Sequence, residues 1–132
     1  MTRPDLRELA AIAAGGAAGA LLRVLLVSEL AAGATQWPWV TLAVNVTGSI
    51  LLGYLATRLS ERLPQSTYRR PLAGTGFCGA YTTFSTVQVE LLRMLEHGRV
   101  GTAAGYAASS IALGYAGVWL ATAGVRRARV VV

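Results

Sequence analysis

GTGFCGAYTTFST, residues Gly74 to Thr86, lies within an apolar stretch from Pro71 to Leu95 that is long enough to cross a bilayer. Its composition argues against an uninterrupted helix. Gly74, Gly76 and Gly79 are poor helix formers, and Thr82, Thr83, Ser85 and Thr86 carry four hydroxyls to membrane depth. Unwound backbone facing lipid leaves N–H and C=O groups unpaired at several kcal/mol each, so a break must be buried in protein or line a cavity. Close packing on neighbouring helices would account for the glycines alone. The hydroxyls, flanked by Phe77, Tyr81 and Phe84, point instead to a site for an ion, in a span made of two half-helices about a polar break.

The rest of the chain sets that stretch in a membrane. Of 132 residues 54% are hydrophobic, and the mean hydropathy is +0.50, too apolar for a soluble domain of this size. All 12 basic residues are arginine, set against six acids for a net charge of +6. They fall between apolar runs rather than in one patch, the placement expected at a membrane surface and not on a nucleic-acid face. The single Cys78 has no partner for an intramolecular disulfide, and no Cys or His cluster has metal-ligand spacing. Arg3 and Arg7 ahead of an apolar run imitate a signal peptide. Arg23 interrupts that run and Gly15, Gly16 and Gly19 weaken its helix, so it is read as a retained span.

Four spans in one domain are expected, at about 9–27, 40–59, 72–95 and 100–125. In the first, Gly15 and Gly19 make a surface that a partner helix can approach closely, and Arg23 either snorkels to the headgroups or serves an aqueous cavity. Trp37 and Trp39 mark the next water boundary. The second span carries Asn45, with Gly48 and Ser49 on its face; Val44, Ile50, Leu51 and Leu55 are expected to meet lipid. A lone membrane Asn is interhelical glue worth roughly 1 kcal/mol, or a donor to a ligand. Residues 58 to 70 form the one long polar connection, with Arg58, Arg62, Pro64, Arg69 and Arg70. Glu90 is expected near the far mouth as a headgroup-level charge, and His97 at the surface. The last span pairs Gly101 with Gly105 and aligns Tyr106, Ser110 and Gly114 on one face. Catalysis has little to work with: the only His lies in a turn, and the first span has no carboxylate at mid-membrane depth to drive proton antiport.

The central stretch resembles the third-helix signature of the Fluc/CrcB fluoride channels. Three further pieces agree in order: GGAAGALLR from Gly15 to Arg23, TLAVNVTGS from Thr41 to Ser49, and Tyr106 with Ser110. The resemblance covers nearly the whole chain. It implies an all-α membrane protein of four transmembrane helices with the third broken, assembled as an antiparallel dual-topology dimer. The function implied is passive export of cytoplasmic fluoride through pores lined by both subunits, with no enzyme activity. On matching positions the pore would use Asn45, Phe84, Ser85, Thr86, Tyr106 and Ser110, with Arg23 in a vestibule. Carbonyls of Gly79 and Thr82 would hold a structural sodium ion on the dimer axis. Neutral donors suit a strongly hydrated anion that must be held and then released. The family pattern TTFSTF has a second Phe where this chain has Val87. A non-conducting membrane scaffold is the alternative.

Arginine placement bears on topology. With four spans the N-terminus, second connection and tail share one side and hold Arg3, Arg7, Arg58, Arg62, Arg69, Arg70, Arg126, Arg127 and Arg129; the other side has Arg93 and Arg99. Nine against two predicts both termini in the cytoplasm of a plasma-membrane protein. An antiparallel dimer then calls for a homologous subunit of opposite charge bias, and Val87 fits a pair of unlike chains that keeps one pore intact.

Overall fold

The computed structural model describes residues 5–30, 33, 36–61 and 68–128. Arg3, Arg62, Pro64 and Arg129 lie outside the described residues. The described chain is helical and shows no strand. Three helices are long and apolar enough to span a membrane: α1 (Leu6–Glu29), α2 (Trp39–Glu61) and, last in the chain, Val100–Arg127. The first starts where Asp5 accepts a hydrogen bond from the Arg7 N–H at 2.9 Å, and Glu8 adds negative charge to the positive end of the helix.

The third expected span is built of shorter pieces. A π-helix runs over Pro71–Cys78, α3 (Gly79–Tyr81) continues it for one turn, and α4 (Ser85–Glu96) follows after Thr82–Phe84. Thr82 is extended (φ −75°, ψ 153°). The glycines expected to interrupt this span therefore lie inside its winding, and the departure from helix falls on Thr82, Thr83 and Phe84. Packing overrides propensity here. A Cβ on Gly15 would sit 2.0 Å from the Leu72 carbonyl oxygen, one on Gly19 would sit 2.3 Å from that of Phe77, and one on Gly76 would sit 2.5 Å from that of Ile12. Backbone lies directly on backbone, so glycine's poor propensity is offset by contacts no other residue permits.

After α4 the chain reverses at Gly98, whose φ of 69° suits glycine, and enters α5 (Val100–Arg127). The 12 residues of α4 rise about 18 Å. With the end of α4 at the membrane surface, Thr82–Phe84 would lie close to the midplane of a hydrocarbon core about 30 Å thick.

α5 packs along α2, and Leu42, Val87, Met94, Ala103 and Tyr106 form the buried cluster that joins α2, α4 and α5. Trp37 packs against this cluster, its ring edge-on to Tyr106 at 5.8 Å and beside Gly105. Trp39 is the exposed member of the pair. Val44, expected to meet lipid, is 2% exposed because α2 has α5 on one side and the Pro71–Tyr81 segment on another. At the ends of α2 and α5, Arg126 pairs with Glu61 at 2.6 Å.

Candidate functional site

Asn45 reaches from α2 to the non-helical residues and holds both backbone groups of Thr83. Its Nδ2 donates to the Thr83 carbonyl at 2.9 Å, and its Oδ1 accepts the Thr83 N–H at 2.8 Å. One amide thus replaces the helical bonding that Thr83 would otherwise need, which keeps buried backbone from going unpaired. The second Nδ2 hydrogen is left over. Gly48, one turn on, clears space for the same segment: a Cβ there would lie 2.3 Å from Thr82 Cγ2.

The Thr83 side chain is buried and engaged as fully as its backbone. Its Oγ1 donates to Thr86 Oγ1 at 2.9 Å, accepts the Thr86 N–H at 3.2 Å and lies 3.3 Å from Ser85 Oγ. The diverted N–H groups have a further effect. Thr83 N–H and Thr86 N–H would close α-helical turns on the carbonyls of Gly79 and Thr82, and both are engaged elsewhere. Two oxygens suited to a hard cation are thereby released from helical pairing. Beside Gly79 the space is open.

Two cavities flank the segment. One, of about 380 Å³, is lined by Asn45, Ser49, Thr83, Phe84 and Ser110 among others. Ser110 Oγ is shielded from solvent and makes no close hydrogen bond among the described residues, the Tyr106 side chain one turn before it being its polar neighbour; such a hydroxyl keeps its proton for a ligand at the cavity. The Phe84 ring is 75% exposed on this chain. The other cavity, of about 290 Å³, is lined by Thr41, Ser85, Thr86, Glu90 and Arg93 among others.

Glu90 is engaged within the protein. Its two oxygens accept from Thr41 Oγ1 and from Tyr106 Oη, each at 2.6 Å, tying α2, α4 and α5 together beside the cavity. Counting rise along α4 bears on the depth of Glu90, whereas these bonds show which side it faces. Tyr106 is fully buried, and its hydroxyl proton goes to Glu90.

Of the residues singled out from sequence, Asn45, Phe84 and Ser110 meet at one cavity and Ser85 and Thr86 at the other. Tyr106 meets the second cavity only through Glu90. Arg23 stands apart on α1, its Nε buried without a partner, one turn before Val27, which lines the cavity of Thr86 and Glu90. Thr41 and Thr83 were missed as site residues. Thr41 precedes Asn45 by four residues, so it shares that helical face, and Thr83 lay in the hydroxyl run with nothing in the sequence to separate it from its neighbours.

Comparison with known proteins shows the family. The family described as CrcB-like protein, Camphor Resistance (CrcB), matches residues 10–122. The chain is 58% identical over 130 residues to the fluoride-specific ion channel FluC 1 of Mycolicibacterium paratuberculosis, covering 98% of each protein. It is 46% identical over 113 residues to the fluoride-specific ion channel FluC of Acidobacterium capsulatum, covering 83% of this chain and 88% of that one. With the fluoride-specific ion channel FluC 2 of Nocardia farcinica the figure is 41% over 118 residues, covering 89% and 84%.

Proposed function

The chain belongs to the CrcB family, and from that premise we propose that it forms a passive channel through which fluoride leaves the cytoplasm. The observation that carries the reading is Ser110 Oγ, a hydroxyl shielded from solvent at a cavity shared with Asn45 and Phe84. Neutral donors replace part of a small anion's hydration without trapping it, as a full positive charge would. Ser110 offers one proton, Asn45 its remaining amide hydrogen, and Phe84 the positive edge of its ring. Fluoride that enters as HF dissociates in the more neutral cytoplasm, and a passive pore lets the anion leave down its gradient.

A single chain supplies only part of such a pore. Phe84 is largely exposed and the released carbonyls of Gly79 and Thr82 are two, too few on one chain to enclose a hard cation. An antiparallel second subunit would double them, and Gly79 and Thr82 of both chains would then hold a sodium ion that fixes the unwound backbone. The arginine bias favours a homologous partner of opposite orientation over a second copy.

Liposomes loaded with potassium fluoride and containing the chain with that homologous subunit should release fluoride when valinomycin balances charge. Release of chloride at a similar rate would contradict the proposal. A non-conducting scaffold, by contrast, predicts that Asn45→Asp and Phe84→Ile leave the fluoride resistance of cells unchanged, whereas a pore loses it.

A further inference from the structure

We propose that Thr83 is a positioning residue: its hydroxyl fixes the direction of the protons on its two neighbours, so that Thr86 donates to the permeating anion while the Ser85 proton is turned inward. The inference rests on the channel reading and concerns how donors are aimed within it.

Thr83 presents no donor to either cavity. Its side chain is 6% exposed, and its position is fixed because Asn45 holds the Thr83 N–H and carbonyl at 2.8 and 2.9 Å. A hydroxyl has one proton and two lone pairs. Here the proton goes to Thr86 Oγ1 at 2.9 Å, and one lone pair takes the Thr86 N–H at 3.2 Å. The remaining lone pair faces Ser85 Oγ at 3.3 Å. Since the only Thr83 proton is already placed, the bond to Ser85 forms only with Ser85 as donor.

The consequence differs for the two neighbours. Thr86 Oγ1 accepts inward, so its own proton must point away from Thr83. Among the described residues none accepts it, and Thr86 lines the 290 Å³ cavity shared with Glu90. A freely rotating hydroxyl would offer an anion a lone pair as readily as a proton, and the lone pair repels. Accepting from Thr83 removes that choice. Ser85 lines the same cavity, but its proton is drawn back to Thr83, and its outward side is acceptor in character.

The competing role is a helix cap, since the bond from Thr86 N–H to Thr83 Oγ1 near the start of α4 is of that kind. A cap acts on folding whatever residue 86 carries; steering acts on flux only through the Thr86 hydroxyl. The test is a double-mutant cycle of Thr83→Val and Thr86→Val in the assembled channel. It is read as valinomycin-initiated fluoride efflux from liposomes, with melting temperature in detergent alongside. Thr83→Val should slow efflux on the order of tenfold, the weight of one hydrogen bond, and Thr83→Ser should restore it. In the Thr86→Val background, adding Thr83→Val should slow efflux no further, although any lowering of melting temperature persists. A Thr83→Val penalty that multiplies undiminished on Thr86→Val, or Thr83→Ser as slow as Thr83→Val, would overturn the inference. Should Thr83→Val not assemble, the single variants Ser85→Ala and Thr86→Val decide: the larger loss must follow Thr86→Val, and the reverse order refutes the assignment. Efflux by the wild-type channel with Thr83→Val equal to it sinks this inference alone; no fluoride efflux by the wild type sinks the channel reading and this inference with it.

Discussion

Ser110 and Glu90 are opposite cases of a polar group in a membrane protein. Ser110 Oγ makes no close hydrogen bond among the described residues, whereas the Glu90 carboxylate holds two hydroxyls from two other helices. Removing an unpaired donor takes away a desolvation cost, so Ser110→Ala should leave the melting temperature in detergent equal or higher while fluoride efflux falls. Removing Glu90 does the reverse. Glu90→Ala leaves Thr41 and Tyr106 without an acceptor and should destabilise by about 1–3 kcal/mol, with Glu90→Gln milder because its side-chain carbonyl can still accept one bond; chemical denaturation compares the two. Asn45 and Ser110 could be picked from the sequence because an amide and a hydroxyl are conspicuous among apolar residues. That Asn45 engages the Thr83 backbone could not, since the spacing of 38 residues has no local periodicity to reveal it.

Among the helices, glycine is where the sequence spoke most plainly and was most easily misread. Gly15 and Gly19 predicted close approach on α1, and the structure places backbone carbonyls of Leu72 and Phe77 against them. Gly101 and Gly105 carry the same spacing, yet a Cβ on Gly101 would meet nothing within 4 Å, and Gly105 faces the Trp37 ring. A GxxxG pattern states that backbone can be approached and not that anything in the same chain does so. Gly15→Ala and Gly19→Ala should therefore abolish recovery of monodisperse protein, because a carbonyl at 2.0–2.3 Å cannot swing aside as a side-chain end can. Gly124→Ala, with open space around it, should be tolerated and raise helix stability by up to about 1 kcal/mol. Equal behaviour of the two classes in detergent size-exclusion chromatography would contradict the account. Within the third span the role of the glycines differs from the expectation for a related reason. Propensity assigned its weakness to the glycines, while the departure from helix occurs where Asn45 and Thr83 supply substitute hydrogen bonds for Thr82–Phe84.

At the level of the whole molecule the arginine distribution and the exposed Phe84 both support the proposed two-subunit assembly. With nine arginines on one side and two on the other, the chain should insert in a single orientation. In a Cys78→Ser background, Cys at Gln65, which lies outside the described residues, should resist a membrane-impermeant maleimide in intact cells, and Cys at Gly33 should react. Mixed labelling at both positions would favour a chain that inserts both ways and pairs with itself. The depth of Thr82–Phe84 has an electrical consequence. A negative ion resting near the midplane has crossed about half of the transmembrane field. A full crossing at 100 mV is worth about 2.3 kcal/mol, so roughly 1.1 kcal/mol lies to either side of that position. An interior-negative potential then drives the anion outward with a comparable share of the work over each half of its path, so the pathway itself favours neither direction of current. With equal fluoride on the two sides of a planar bilayer, the current–voltage relation should pass through zero without rectifying; a strongly bent curve would put the controlling barrier at one mouth.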